Sequence, residues 1–186
     1  CGTLVALEPR SDEELKQFDC QRHYWETDQQ QVGTAPDIQV RSHTDFEDRI
    51  PAWHTMLSNY KNNVNSILEL GCSHGGFLDY CRSHGASSVV GVEVDASTCA
   101  FARDRFKLPF VISGLFPDVD LPFDSYDVVC GFDVIEHFTD PVRGLRKMAA
   151  LLNQDGVVFV QTPCYQGQGR DWNHLKPLEH LFLFIP

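Results

Sequence analysis

One stretch, Ile67-Leu-Glu-Leu-Gly-Cys-Ser-His-Gly-Gly-Phe77, constrains this chain more than any other. An apolar run too short for a helix ends in a turn of small residues and opens into a helical pattern. That is a strand, a tight turn and a helix N-terminus in succession. The chain beyond residue 77 repeats the alternation. Strands are expected at Ser66–Leu70, Ser88–Val92, Phe110–Ile112, Asp127–Gly131 and Val157–Gln161, with helices over about 76–84, 97–106 and 140–152 between them. Strands of continuous apolar character separated by helices imply a parallel sheet covered on both faces. Right-handed crossovers then wind it into an α/β, Rossmann-like doubly wound sheet.

The remaining segments are less regular. Ser11-Asp-Glu-Glu14 has the form of a capping box, and Pro9, Gly33 and Pro36 punctuate an otherwise polar, irregular stretch over 1–44. Apolar residues at 46, 50, 53, 57, 60 and 64 share one helical face, with Pro51 placing the helix start near residue 51. Asp140-Pro141 supplies a capping carboxylate and a proline for the first helical position. The expected organisation is an extension over 1–44 and a cofactor-binding domain over 45–186.

Two acids give the glycine turn a ligand. Glu93 closes the second strand, 22 residues after Gly71, where an acid accepts hydrogen bonds from the two hydroxyls of an adenosine ribose. Glu69 lies at the strand end, two residues before Gly71. A dinucleotide would put its pyrophosphate on the helix N-terminus, where Glu69 would repel it. A sulfonium with a free amino group welcomes that carboxylate, so Glu69 favours S-adenosylmethionine over NAD.

Glu69-Leu-Gly-Cys-Ser-His-Gly75 resembles the E/D-x-G-x-G-x-G motif of class I S-adenosylmethionine-dependent methyltransferases. Gly91-Val-Glu93, Leu121–Val129, Phe132–Pro141 and Gly156–Pro163 resemble further motifs of that family in the same order. The resemblance implies a strand order 3-2-1-4-5 and S-adenosyl-L-methionine as cofactor, with S-adenosylhomocysteine as product. It implies cofactor contacts from Glu69, Gly71, Ser73, Gly75, Gly76, Glu93, Val94, Leu115, Phe132 and Asp133. Two departures stand out. Ser73 replaces the middle glycine, and Ser113-Gly-Leu-Phe116 lacks the acid that commonly meets adenine, leaving Leu115 or Phe116 to hold the base by apolar contact.

Chemistry is expected after the fourth strand, at the carboxyl edge of the sheet. His137 and Glu136 are the catalytic candidates there, since an imidazole titrates near working pH and suits a base for the acceptor proton, and His180 joins them through the resemblance that follows. Ubiquinone-type and small-RNA-end O-methyltransferases carry a similar acid-x-x-Glu-His segment that holds a divalent metal. On that resemblance Asp133, Glu136, His137 and His180 form an alternative metal set, suiting Mn²⁺ or Zn²⁺ better than Mg²⁺. The metal is not the favoured reading. The loop Thr162–His174 offers Tyr165, Trp172, Asn173 and His174 to a polar acceptor.

Composition bounds the partners. With 15 Lys+Arg against 26 Asp+Glu, the formal charge of −11 argues against nucleic acid, whose affinity comes from neutralising phosphates. The longest apolar runs, Val157–Val160 and Leu181–Ile185, are far below the ~20 residues of a bilayer span. Seven cysteines, none two residues from another, fit a reducing, cytoplasmic setting. Cys1-Gly, the acidic helix and His23-Tyr-Trp25 resemble the zinc-knuckle exit of methyltransferases acting on sugars and surface glycans, with Cys1 as last ligand. That tilts the acceptor toward a small molecule such as a sugar or nucleotide sugar. The alternatives are an O-methyltransferase of the ubiquinone or RNA-end type and a binding module without turnover. The resembled fold has seven strands, so strands 6 and 7 and the start of the chain are expected to be missing. The oligomeric state is left open.

Overall fold

The computed structural model describes residues 3–6, 11–14, 37–169, 172, 174 and 180–185. Among the described residues the strands are β1 (Leu4–Val5), β2 (Ser66–Leu70), β3 (Ser88–Glu93), β4 (Val111–Ser113), β5 (Tyr126–Phe132), β6 (Leu152–Gln161) and β7 (Phe182–Leu183). The helices beside them, again among the described residues, include α1 (Ile38–Glu47), α2 (Arg49–Tyr60), α3 (Gly76–Ser83), α4 (Ala96–Phe106) and α5 (Pro141–Leu151), with a 3₁₀ turn at Ile135–His137. The central sheet is parallel, in the order β4-β3-β2-β5-β6. With β1 set aside, that is the expected 3-2-1-4-5 order.

Side-chain alternation along the strands divides the core in two. Ile67, Val128 and Cys130 pack with Trp53 and Leu57 of α2, Phe77 and Leu78 of α3 and Phe106 of α4. Leu68, Leu70 and Val129 pack on the other face with Met148 and Leu151 of α5, and with Phe116 and Phe138. Both faces are therefore covered, as continuous apolar strands require. Asp95 caps α4 through Thr98 N at 2.7 Å, and Asp140 caps α5 through Arg143 N at 2.9 Å with Pro141 in its first turn.

α2 begins at Arg49, with Pro51 in its first turn as expected. Two expectations are corrected. The stretch around 38–47 is helical rather than irregular, because Asp37 caps it and Phe46 stacks on Phe106 at 5.5 Å. β6 begins at Leu152 and carries Asp155-Gly156 within it. The register shift between Tyr126↔Leu152 and Val128↔Val157 accommodates those residues as an irregularity, and Asn153 Nδ2 donates to Asp127 Oδ1 there at 2.5 Å.

A small antiparallel sheet was not foreseen. β1 pairs with β7 through Leu4↔Leu183 and Val5↔Phe182. Ala6 N donates to Leu181 O at 2.9 Å, and Leu181 N donates to Glu136 O at 2.8 Å. This chain of bonds sets residues 180–183 against the 3₁₀ turn. The proposed zinc-knuckle exit at Cys1 and His23-Tyr-Trp25 lies outside the described residues. Among the described residues no helix is long and apolar enough to cross a membrane. Cys72, Cys81, Cys99 and Cys130 are free and buried, and Cys164 is free and half-buried.

Close packing of α5 on the 3₁₀ turn makes one stability prediction. A Cβ added at Gly144 would stand 2.4 Å from Phe138 Cδ2. Alanine gains about 1 kcal/mol of helix propensity, but displacing a packed ring costs about 1–3 kcal/mol. Gly144→Ala should therefore be neutral to destabilising, never stabilising, in denaturant unfolding. A gain in midpoint would mean that the ring moves freely.

Candidate functional site

A cleft of about 360 Å³ opens at the carboxyl ends of β2, β3 and β5, a size suited to a small ligand. Of the residues expected to hold cofactor or do chemistry, Glu69, Gly71, Ser73, Glu93, Val94, Leu115, Phe132, Asp133, Glu136, His137 and His180 all line it. Gly75 and Gly76 do not. Gly75, at φ +80°, is the left-handed N-cap of α3, and a Cβ there would meet Leu108 at 2.7 Å. Its role is to turn the loop rather than to face a ligand.

The sheet side of the cleft carries two buried acids, Glu69 and Glu93. Glu69 is buried, and its Oε2 accepts no hydrogen bond among the described residues. Burial, then the nearby charges of Glu93 and Asp45, push its carboxyl well above the usual range. Glu93 accepts from Ser73 N at 3.0 Å and from Asp95 N at 3.1 Å. Burial raises it too, with those amides pulling the other way. An orphaned carboxylate oxygen at Glu69 fits an ammonium or sulfonium neighbour, and Glu93 at the second strand end fits a ribose. The donor set thus fits S-adenosylmethionine. Leu115 and Phe116 both line the cleft near Val94, with no acid among Ser113–Phe116.

The opposite wall comes from α1 and α2. Trp53 stacks on Phe132 at 3.9 Å with planes 6° apart, and donates from Nε1 to Gln161 Oε1 at 2.7 Å. Arg49 lies over the Trp53 ring at 4.6 Å and pairs with Asp133 at 2.5 Å. Gln161 Nε2 donates to the other oxygen of Asp133 at 3.1 Å. The Asp133 carboxylate is thus engaged with this wall. Its backbone is left-handed, at φ +56°.

The cleft is also lined by Glu136, His137 and His180. Glu136 is fully buried, and Thr162 Oγ1 donates to its Oε2 at 2.9 Å, while Oε1 has no partner among the described residues. Burial lifts its carboxyl to about 7. The rings of His137 and His180 meet edge to face at 4.9 Å. His180 Nδ1 lies 2.8 Å from His174 O, and a carbonyl can only accept, so the proton sits on Nδ1 and Nε2 is the basic nitrogen. One ligand atom from each of Glu136, His137 and His180 lies within 4.8 Å of the other two. Asp133 stands apart from this group. Of the acceptor loop, Tyr165 packs near Trp172 at 5.8 Å and Trp172 near His174 at 5.3 Å, with His174 lining the cleft. Asn173 lies outside the described residues.

Sequence reasoning missed Arg41, Asp45, Arg49, Trp53 and His74, all of which line the same cleft. His74 stands inside the glycine turn, yet nothing in its spacing told that its ring would be buried against Asp45.

A family model described as a methyltransferase domain matches residues 42–186. A probable S-adenosylmethionine-dependent methyltransferase of Mycobacterium tuberculosis is 35% identical over 100 residues, covering 54% of this chain and 36% of that protein. A ubiquinone biosynthesis O-methyltransferase of Aliivibrio fischeri is 29% identical over 141 residues, covering 63% of this chain and 60% of that one. The solved sugar N-methyltransferase of Streptoalloteichus superposes with a TM-score of 0.58 at 23% identity, over 66% of this chain and 50% of that one. The chain thus spans little more than a third of the mycobacterial relative's length. The fold, the cleft and these matches agree: the chain belongs to the class I S-adenosylmethionine-dependent methyltransferase family.

Proposed function

We propose that the chain serves S-adenosylmethionine-dependent methyl transfer to a small polar acceptor, a sugar, nucleotide sugar or related metabolite, in the cytoplasm. The observation that carries this reading is one cleft lined both by Glu69 and Glu93 and by Glu136, His137 and His180. When bound, S-adenosylmethionine supplies a methyl group on a sulfonium, already activated for in-line displacement. The protein's share is then orientation and proton removal. Glu93 anchors the ribose, Glu69 draws the amine, and the Trp53–Phe132 stack keeps water from the intervening wall. His180, with Nδ1–H on His174 O, presents Nε2 as base beside His137. Asp12, Thr139, Asp140 and Arg143 also line the cleft and suit an acceptor rich in hydroxyls. A neighbour that is a sugar N-methyltransferase supports the acceptor class, and the charge of −11 speaks against nucleic acid.

A specific observation favours a second reading, metal-assisted O-methyl transfer. Glu136, His137 and His180 converge within 4.8 Å, and a mixed carboxylate and imidazole set fits Mn²⁺ or Zn²⁺. One set of measurements separates the readings. Calorimetry should show S-adenosylhomocysteine binding and no NAD binding; NAD binding would sink the cofactor assignment. Methyl transfer across an acceptor panel, read by mass spectrometry, should survive chelation on the first reading. Loss on chelation with recovery on adding Mn²⁺ selects the second. Tight product binding with no methylation of any acceptor marks a binding module.

A further inference from the structure

After β4 the wall of the cleft is Gly114-Leu-Phe-Pro117. No side chain among these four carries a hydrogen-bonding group, so polar recognition here falls to backbone N–H and C=O groups. The sheet order says what meets that backbone. Neighbouring strand ends present Glu69 on β2, Glu93 on β3 and Ser113 on β4, and Gly114 N donates to Glu93 O at 2.9 Å. A ligand with its ammonium at Glu69 and its ribose at Glu93 therefore carries its base on toward Gly114–Pro117.

A backbone can choose between bases only if it stands still. What holds this segment comes from α5. Lys147 is half-buried, and its Nζ donates both to Pro117 O and to Val119 O, the second at 2.6 Å. The same ammonium lies 5.5 Å from the centre of the Phe116 ring, which is buried and packs on Phe138 at 5.8 Å. Within the turn itself Asp118 N donates to Leu115 O at 2.9 Å. Charge-assisted bonds are about twice as strong as neutral ones, so the two from Lys147 outweigh that backbone bond. Arg143, one turn earlier on α5, pairs with Asp118 at 3.0 Å, but the two side chains are 54% and 56% exposed and such a pair contributes little.

We propose that Lys147 is the positioning residue for the cleft's choice of nucleobase: by pinning Phe116–Val119 it fixes the backbone of Gly114–Pro117, which accepts a 6-amino purine and rejects a 6-keto one. The inference rests on the cofactor reading above. A fixed carbonyl accepts from an amino group and repels a keto oxygen, and a fixed N–H meets a bare ring nitrogen but not a ring N–H. A loose turn can swing to suit either base. Lys147 stands behind the cleft wall rather than in it, so it acts through the turn alone.

S-adenosylhomocysteine and S-inosylhomocysteine differ only along that edge of the base, and calorimetry on the whole chain compares them. Wild type should prefer the adenosine compound by about a hundredfold, within reach of a site with fixed hydrogen-bonding groups. Lys147→Met keeps the stem and loses the donors. It should weaken S-adenosylhomocysteine about tenfold and the inosine compound little, so that the preference shrinks about tenfold. Lys147→Arg should recover part of the preference. Asp118→Asn, which breaks only the exposed pair, should leave both affinities within about twofold. Melting temperatures guard against a folding artefact, and Lys147→Gln, which keeps one donor group, is read in the same way if the Met variant does not fold. Equal losses for both compounds would show that Lys147 only supports the fold, and unchanged affinities that the turn stands without it. A wild-type chain that binds both alike would show that the backbone does not read the base. Each of these overturns the inference and leaves the cofactor reading in place. A wild-type chain that binds neither compound overturns the cofactor reading, and this inference with it.

Discussion

Glu93→Ala is expected to weaken S-adenosylhomocysteine binding by about a hundredfold or more, with little change in unfolding free energy. The carboxylate is buried at the cleft, and its two oxygens accept from Ser73 N and Asp95 N. Two further bonds from a ribose would be charge-assisted, worth about 1.5–3 kcal/mol each, so their loss amounts to about 3 kcal/mol or more. The backbone amides left behind border the cleft, where water can take the carboxylate's place. Removing a carboxyl that burial already disfavours offsets part of what the amides lose. Binding therefore suffers far more than folding. Glu93→Gln keeps acceptor capacity without charge and should fall between wild type and alanine. An unchanged affinity in the alanine variant would dismiss the ribose assignment.

The sheet was legible because its central strands β2 and β5 are buried on both faces. Ile67 and Leu68 in β2, and Val128 and Val129 in β5, point to opposite faces and are both buried, and such apolar pairs read as parallel strands without further help. α1 was not legible. Its residues carry no strong apolar stripe, and it is held by Asp37 at its start, Phe46 on Phe106 and Asp45 on His74, contacts made only once the sheet exists. The same holds for the wall of the cleft. The spacing of Ile50, Trp53 and Leu57 told which face of α2 is buried, but not that Trp53 and Arg49 would border a ligand site. Glu69 and Glu93 were readable because strand ends in a doubly wound sheet converge by topology. His180 became a candidate through resemblance alone. It is brought to His137 by the backbone bond from Leu181 N to Glu136 O and by the pairing of β7 with β1, two-residue strands too short for any periodicity to reveal.

The buried carboxyls should also set how stability depends on pH. Glu136 is raised from the ordinary value of 4.5 to about 7 by burial. Below 4.5 it is protonated in the folded and the unfolded chain alike, and its contribution is fully present. As pH rises the unfolded chain gives up the proton first, so unfolding becomes easier, and the contribution is gone once pH passes about 7. At 1.36 kcal/mol per tenfold change in proton affinity, this amounts to about 3 kcal/mol. Glu69 and Glu93, raised mainly by burial, act in the same direction. Asp45, Asp95 and Asp127 act oppositely. Burial works against each, but hydrogen bonds hold them below the ordinary 3.8, so their contribution is lost only as pH falls below that value. The ligand-free chain should therefore be most stable near pH 4–5 and lose stability toward neutrality, opposite to a protein dominated by paired carboxylates. Urea unfolding from pH 4 to 8 measures this, and Glu136→Gln should flatten the neutral limb by about 3 kcal/mol relative to wild type. Parallel curves for the two proteins would mean that Glu136 ionises normally despite its burial. A cation at Glu136, His137 and His180 would need the ionised carboxylate. On the metal-assisted reading, adding Mn²⁺ near pH 8 should restore the lost stability in wild type and leave Glu136→Gln unmoved. On the metal-free reading it should move neither.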